Sequence, residues 1–152
     1  ATGKSCTMFC YPYGDHNASV RQLVMEAGFS GARTCADFTF ASNDPFLLGT
    51  SLQVYPFPLR PILSRRMFQP LLRCHPKLRA IGVPLQHFRS WLSMAQAVFD
   101  WAYATEQPWF HLWGHSWELE RYGLWSSLEQ FLRHVRTFPN ITRVPNSALL
   151  HP

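Results

Sequence analysis

Short apolar runs and amphipathic segments alternate over the first 33 residues of the chain. Residues 7–11 are β-prone and are followed by turn-forming residues. Asn17 is a plausible helix N-cap, and Gly28 suits the left-handed conformation that commonly ends a helix. Because residues 29–33 are typical of a second strand, the pattern predicts a β-loop-α-β unit with parallel strands. The apolar side chains at helical spacing are Val20, Leu23, Val24 and Ala27.

Residues 36–89 show no long periodic pattern. Seven prolines, at positions 45, 56, 58, 61, 70, 76 and 84, argue against one long helix. We expect loop here, with short helical pieces over residues 62–69 and 70–80. Long irregular connections of this kind are often lids or groove walls.

Regular patterns return in the last third of the chain. Ser90 is a good N-cap for an amphipathic helix that ends near Glu106, and residues 109–113 form an apolar strand-like run. Gly123 precedes a second amphipathic helix, and residues 141–144 are typical of a last short strand. The predicted inner side chains of that second helix are Leu124, Trp125, Leu128, Phe131, Leu132 and Val135.

The tally is about four strands and three helices in alternation, which predicts an α/β fold. A chain of 152 residues has room for one domain with a substantial core, and we treat residues 1–152 as one domain. A closed barrel in the common α/β case needs roughly eight strands. Either the sheet is small and covered, or further strands come from elsewhere, since an open edge would expose unpaired backbone groups.

The net charge is +5, and much of the excess lies between residues 60 and 79. Such a stretch can bind phosphate, nucleic acid or an anionic glycan, but a solvated connecting segment is the more ordinary interpretation. No known nucleic-acid motif accompanies the charge, so we expect no nucleic-acid partner. The basic residues of this stretch are Arg60, Arg65, Arg66, Arg73, Lys77 and Arg79.

The four cysteines do not form a Cys-x-x-Cys pair, so zinc-ribbon and thioredoxin-like sites find no support. No run of about 18 apolar residues occurs, and we expect no membrane span. The first residues lack the apolar region of a signal peptide. The sequence therefore predicts neither a compartment nor a disulfide framework.

Two constellations carry candidate chemistry, each at the end of a predicted strand. In the first, Pro12 and Gly14 fix a tight loop that can direct a backbone N–H or the Tyr13 ring into a cleft, as an oxyanion site requires. The alternative is an ordinary turn with tyrosine packing. In the second, His115 follows the apolar run and is a candidate acid or base, because the ordinary pKa of histidine lies near neutrality.

His111, His115 and Glu118 would share one face of a helix and could then bind a metal. Gly114 and the apolar run before it argue instead for a strand that ends near Trp113. We therefore predict that His111 is a core or edge histidine and that this segment holds no metal.

Three segments together resemble the polysaccharide deacetylase family (NodB-like, carbohydrate esterase family 4). They are FCYPYGDHN at residues 9–17, EAGFSGART at 26–34 and FHLWGHSWE at 110–118, in matching order. The resemblance covers about residues 1–35 and 90–150. It implies a distorted (β/α) barrel that uses a divalent metal, usually zinc, to hydrolyse acetyl groups from N- or O-acetylated sugars.

The resemblance also implies roles for residues. The backbone N–H of Tyr13 would help to hold the oxyanion, and His115 would be the late acid that protonates the leaving amine. We further expect four side chains to contact the acetylated glycan or amino sugar. These are Tyr11, Trp113, Trp117 and Glu118.

The chain departs from the family pattern in ways that bear on catalysis. The Asp-Asp motif and the paired-His metal motif would lie upstream of Phe9, where the chain has only eight residues. Cys10 replaces the usual arginine, and Leu112 lies three rather than two residues before His115. We expect the chain to be the C-terminal part of such a domain, without a metal of its own. A missing N-terminal half or an oligomer partner would complete it.

A second hypothesis is a non-catalytic glycan-binding or vestigial module, in which tryptophans grip a sugar without turnover. Trp109, Trp113, Trp117 and Trp125 are the candidates. Most of them are expected to build core, because aromatic side chains dominate core energetics.

Overall fold

A computed structural model describes residues 6–61 and 65–150 of the chain. The chain divides into two compact units, one formed by Ala1–Ser51 with Ile141–Pro152 and the other by Leu52–Asn140. Both units mix helices with short parallel strands, so the predicted α/β class is confirmed. The predicted helical piece over residues 62–69 falls partly outside the described residues.

The first unit contains the predicted β-loop-α-β arrangement. Strand β1 (Met8–Cys10) pairs in parallel with β2 (Gly31–Arg33), and helix α1 (Ala18–Glu26) connects them. The Asn17 side chain accepts a hydrogen bond of 2.9 Å from the Val20 N–H, which confirms the predicted N-cap. Gly28 has φ +85°, as a residue that ends a helix in the left-handed region.

The buried face of α1 is narrower than its apolar stripe suggested. Only Val24 is buried, whereas the Leu23 side chain is 63% exposed. Val24 packs in a small core with Tyr11, Ala32 and Phe46. A two-stranded sheet offers little apolar area, so a single buried residue of α1 is enough to cover it.

Arg33 joins the two chain segments of this unit. Its side chain is buried, and the guanidinium donates to the Asn146 Oδ1 at 2.9 Å and to the Gly49 carbonyl oxygen. Burial lowers the pKa of Arg33 to about 10, against a smaller opposing effect of Cys10, so the group stays charged near neutrality. Asn146 begins a 3-10 helix over Asn146–Leu150. The strand predicted over residues 141–144 was wrong, since no strand forms there.

The second unit is built on strand β3 (Leu52–Val54) and strand β4 (Leu112–Gly114), which pair in parallel with Leu52 opposite Leu112. Its helices are α2 (Gln69–Ala80), α3 (Trp91–Ala104), α4 (Ser116–Arg121) and α5 (Trp125–Val135), with 3-10 turns at Arg65–Phe68 and Leu85–Arg89. β3 lies in a region predicted as loop, and the strand predicted over 109–113 begins only at Leu112.

Helices α3 and α5 pack together over the core of this unit. Ser90 caps α3 as predicted, accepting a hydrogen bond of 3.2 Å from the Ser93 N–H. The Trp91 ring meets Phe131 edge to face at 5.7 Å, and its Nε1 donates to the Gln53 carbonyl oxygen at 2.8 Å. This bond fixes α3 to β3. On α5 only Phe131 is buried, so the wide inner face predicted for that helix is too broad.

Within residues 6–61 and 65–150 the strands form two separate two-stranded sheets, and no barrel is closed. The distorted barrel implied by the resemblance therefore stays a prediction, as does the single-domain organisation. In the part of the chain that the structure describes, every helix is too short or too polar to cross a membrane.

Candidate functional site

His115 lies directly after the carboxyl end of β4 and is the N-cap residue of α4. Its backbone is extended, with φ −104° and ψ 125°, and its carbonyl oxygen accepts from the Glu118 and Leu119 N–H groups at 2.9 and 3.1 Å. Gly114 permits the close pairing before it, because a Cβ there would lie 3.1 Å from the Val54 Cβ. The prediction that His115 follows the end of a strand is confirmed.

Two indole rings flank the His115 imidazole. The Trp113 ring meets it edge to face at a centroid distance of 5.2 Å, and the Trp117 ring stacks with it at 5.8 Å and 23°. His115 is exposed and the Trp117 side chain is 56% exposed. The buried Trp113 Nε1 has no hydrogen-bond partner among the described residues. We call Trp113, His115 and Trp117 the His115 cluster.

Glu118 is placed behind this cluster rather than on the surface. Its side chain is buried, and its carboxylate accepts a long hydrogen bond of 3.5 Å from the Gln53 Nε2. The contact joins α4 to β3. This position favours an anchoring role, and contact of Glu118 with a sugar stays a prediction.

His111 precedes β4 and does not share a helix face with His115. Its carbonyl oxygen accepts from the Leu52 N–H at 3.1 Å, which extends the pairing of the two strands by one bond. Among the residues of known placement, no three His, Cys, Asp or Glu side chains are grouped so that they could hold a metal ion. The His115 cluster itself therefore does not fit a metal site.

The Tyr-Pro-Tyr-Gly loop follows β1 in the other unit. Tyr13 adopts the left-handed region, with φ 58° and ψ 5°, and its side chain is 93% exposed. Gly14 has φ +78°, and a Cβ there would come within 2.7 Å of the Cys35 backbone nitrogen. Only glycine fits this turn, so the loop has a defined shape that presents Tyr13 to solvent.

Tyr11, at the start of the same loop, is 1% exposed and packs in the core of its unit. Its ring stacks on that of His16 at 5.1 Å, and its hydroxyl has no hydrogen-bond partner in the described ranges. Burial raises the pKa of Tyr11. The charge of Arg21 opposes this shift and that of Asp44 adds to it, both to a smaller extent. This packing favours a structural role, and its contact with substrate stays a prediction.

The structure thus brings Trp113, His115 and Trp117 together, with Glu118 behind them. Tyr11 and Tyr13 belong to the other unit. Sequence reasoning missed Gln53, which contacts Glu118, because β3 was not predicted. The alternation of Leu52, Gln53 and Val54 was the only available signal.

Compared with known proteins, the chain matches no family model, and no curated protein and no solved structure is significantly similar to it. The resemblance to polysaccharide deacetylases therefore rests on the three sequence segments alone.

Proposed function

We propose that this chain is the C-terminal part of a polysaccharide deacetylase-like domain and that the His115 cluster contacts an acetylated sugar. The observation that supports the proposal is the exposed imidazole at a strand end, flanked by two indole rings. Ligand sites in parallel βα structures lie at the carboxyl ends of the strands. The apolar C–H face of a sugar ring can pack on an exposed indole as other apolar surfaces do.

His115 supplies the acid in this proposal. Neither of its ring nitrogens has a hydrogen-bond partner among the described residues, so both are available to a ligand. In its protonated form the imidazole donates a proton to the amine that leaves when an N-acetyl group is hydrolysed. Trp113 and Trp117 hold the ring in place through contact, since no hydrogen bond does so.

The resemblance further assigns the oxyanion N–H to Tyr13. The left-handed conformation of Tyr13 and the requirement for glycine at position 14 support a loop of defined shape. A strained, defined turn at a strand end is consistent with a functional role. Tyr13 belongs to the other unit, and its role is proposed from the resemblance alone.

The metal belongs to the complete family domain, in which zinc would activate water. The residues of the His115 cluster do not provide a ligand set, so no step is assigned to a metal bound here. We expect this chain on its own to bind the glycan without releasing acetate. The alternative function is a non-catalytic glycan-binding module, which the same exposed aromatic surface favours.

Kinetics of His115→Ala separate the two functions. In the natural protein that carries the complete metal site, we expect the substitution to lower kcat for acetate release about 10²- to 10⁴-fold. The KM for an acetylated chito-oligosaccharide should change little. Tyr103→Ala is the control, because Tyr103 is also an exposed aromatic residue, its hydroxyl donates to the Pro139 carbonyl oxygen, and it has no part in the His115 cluster. An unchanged kcat in His115→Ala contradicts the catalytic role of His115, whereas binding without acetate release by the unchanged protein favours the binding module.

A further inference from the structure

The Leu52–Asn140 unit contains a shallow cleft that is open to solvent. Two arginines, two glutamines, one tyrosine and one proline line it. The lining residues are Gln53, Tyr55, Arg60, Gln69, Pro70 and Arg73. We call this feature the arginine cleft.

Three structural elements fix the positions of these side chains. Gln53 lies on β3 and Tyr55 directly follows it, while Arg73 lies on α2. The Tyr55 hydroxyl is 2.7 Å from the Cys74 Sγ, and this buried contact holds the end of β3 against α2. The Arg60 backbone N–H donates to the Met67 carbonyl oxygen at 3.0 Å, which closes the loop between β3 and α2. The two arginines therefore reach the cleft from anchored backbone.

The sequence segment that supplies the cleft residues carries charge of one sign. Residues 45–99 contain no Asp or Glu, whereas half of the 14 Lys and Arg residues of the chain lie there. The first turn of α2 at Gln69 and Pro70 also contains no acidic residue. One carboxylate, that of Glu118, contacts a lining residue, since it accepts a long hydrogen bond of 3.5 Å from the Gln53 Nε2. The seven basic residues are Arg60, Arg65, Arg66, Arg73, Lys77, Arg79 and Arg89.

We propose that the arginine cleft binds a compact oxyanion of the phosphate class. Arg60 and Arg73 supply the charge, and their planar guanidinium forks match the geometry of a tetrahedral oxyanion. The amides of Gln53 and Gln69 act as neutral donors at the sides. The wall of this cleft is cationic and amide-rich, unlike the aromatic His115 cluster, so it selects an anion rather than a neutral sugar.

This inference does not depend on the proposed deacetylase-like function, because neither arginine belongs to the His115 cluster. The phosphate group can come from inorganic phosphate or from a phosphate monoester such as a sugar phosphate. A monoester adds contacts outside the cleft, whereas the free ion is limited to the lining groups. The relative affinity for these two ligands identifies the source.

Isothermal titration of the chain with inorganic phosphate and with a sugar monophosphate tests the proposal. We expect Arg60→Gln and Arg73→Gln each to weaken binding of both probes at least tenfold. Arg79→Gln is the matched control: it removes the same charge from the exposed last turn of α2, outside the cleft. We expect that variant to bind within twofold of the unchanged protein.

Each outcome decides for or against the cleft. Tighter binding of the monoester identifies an esterified ligand, and equal or tighter binding of inorganic phosphate identifies the free ion; both support the proposal. A loss in Arg79→Gln as large as that in Arg73→Gln would overturn it, because the affinity would then follow net charge alone, as for a nucleic-acid-binding surface. No binding of either probe would also overturn it, provided that circular dichroism shows the chain folded.

Discussion

The imidazole of His115 stacks on the indole of Trp117, with ring centroids 5.8 Å apart and the two planes inclined by 23°. Trp113 meets the same imidazole edge to face at 5.2 Å. The three residues flank the carboxyl end of β4, where the chain passes from strand to helix within two residues. The arrangement places a group capable of proton transfer beside an exposed apolar ring, and the proposed function would require both.

The shape of the Tyr13 loop depends on glycine at position 14. Gly14→Ala should lower the free energy of unfolding by about 3 kcal/mol. Alanine is strained at the positive φ of this position, and its Cβ would also clash with the backbone of Cys35. Gly28→Ala is the matched control, since Gly28 has a similar φ of +85° but open space around it. That control should lose only about 1 kcal/mol. Urea denaturation measures both, and equal losses would contradict the close packing at Cys35.

The Arg21–Asp44 ion pair makes the first unit sensitive to acid. Burial acts to raise the pKa of Asp44, but hydrogen bonds from Arg21 and from the Phe46 N–H outweigh it and leave the pKa below the usual 3.8. A carboxyl whose pKa is lower in the folded than in the unfolded protein stabilises the fold fully at pH values above its unfolded-state pKa. This stabilisation is lost as the pH falls through the pKa of the folded state.

Asp44→Asn should therefore lower stability near neutrality and flatten its decline in acid. The measurement is the urea midpoint of the unchanged protein and of the variant from about pH 5 to about pH 2. Asp15→Asn, at an exposed position, is the control and should keep the full decline. Parallel curves for the unchanged protein and Asp44→Asn would show that this carboxyl does not contribute.

The contact between His134 and Asp100 joins α5 to α3, with 2.6 Å between the His134 Nε2 and the Asp100 Oδ1. A double-mutant cycle of Asp100→Ala and His134→Ala should give a coupling free energy of about 1 kcal/mol. This value already allows for the partial exposure of both side chains, which weakens the interaction. The same cycle on Glu129 and Arg133, an exposed pair within α5, should give a smaller coupling. A larger value for that exposed pair would mean that the bond between the helices adds little.

Local signals predicted the parts of the fold that depend on local chemistry. Asn17 and Ser90 cap their helices as expected, because a cap is made by residues three positions apart. Gly28 ends α1 for a similarly local reason. The order of strand, helix and strand in the first 33 residues followed from these signals together with apolar spacing.

Signals that depend on distant partners failed. β3 was missed because Leu52–Val54 is three residues long, is followed by two nearby prolines and pairs with residues 60 positions away. Residues 141–144 are β-prone but form no strand, since β propensity requires a neighbouring strand to act on. The exposure of Leu23 and of Leu132 likewise depends on how much surface their packing partners offer, which their own segments do not indicate.

In the candidate site, too, only the features that depend on neighbouring residues in the sequence were predicted. The position of His115 after a strand was predicted from Gly114 and the apolar run before it. The burial of Tyr11 and Glu118 depends on packing against residues far away in sequence, and nothing in their own segments indicated it. The arginine cleft was visible only as a charged stretch until the structure placed Arg60 and Arg73 at the same cleft.

The affinity of the chain for a tetramer of N-acetylglucosamine tests the central proposal most directly. Isothermal titration should detect binding that Trp117→Ala weakens at least tenfold, which corresponds to about 1.4 kcal/mol. Tyr103→Ala, at an exposed aromatic residue outside the His115 cluster, should bind within twofold of the unchanged protein. If the sugar does not bind, or if both variants bind as the unchanged protein does, the His115 cluster is not a glycan site and the proposed function is wrong.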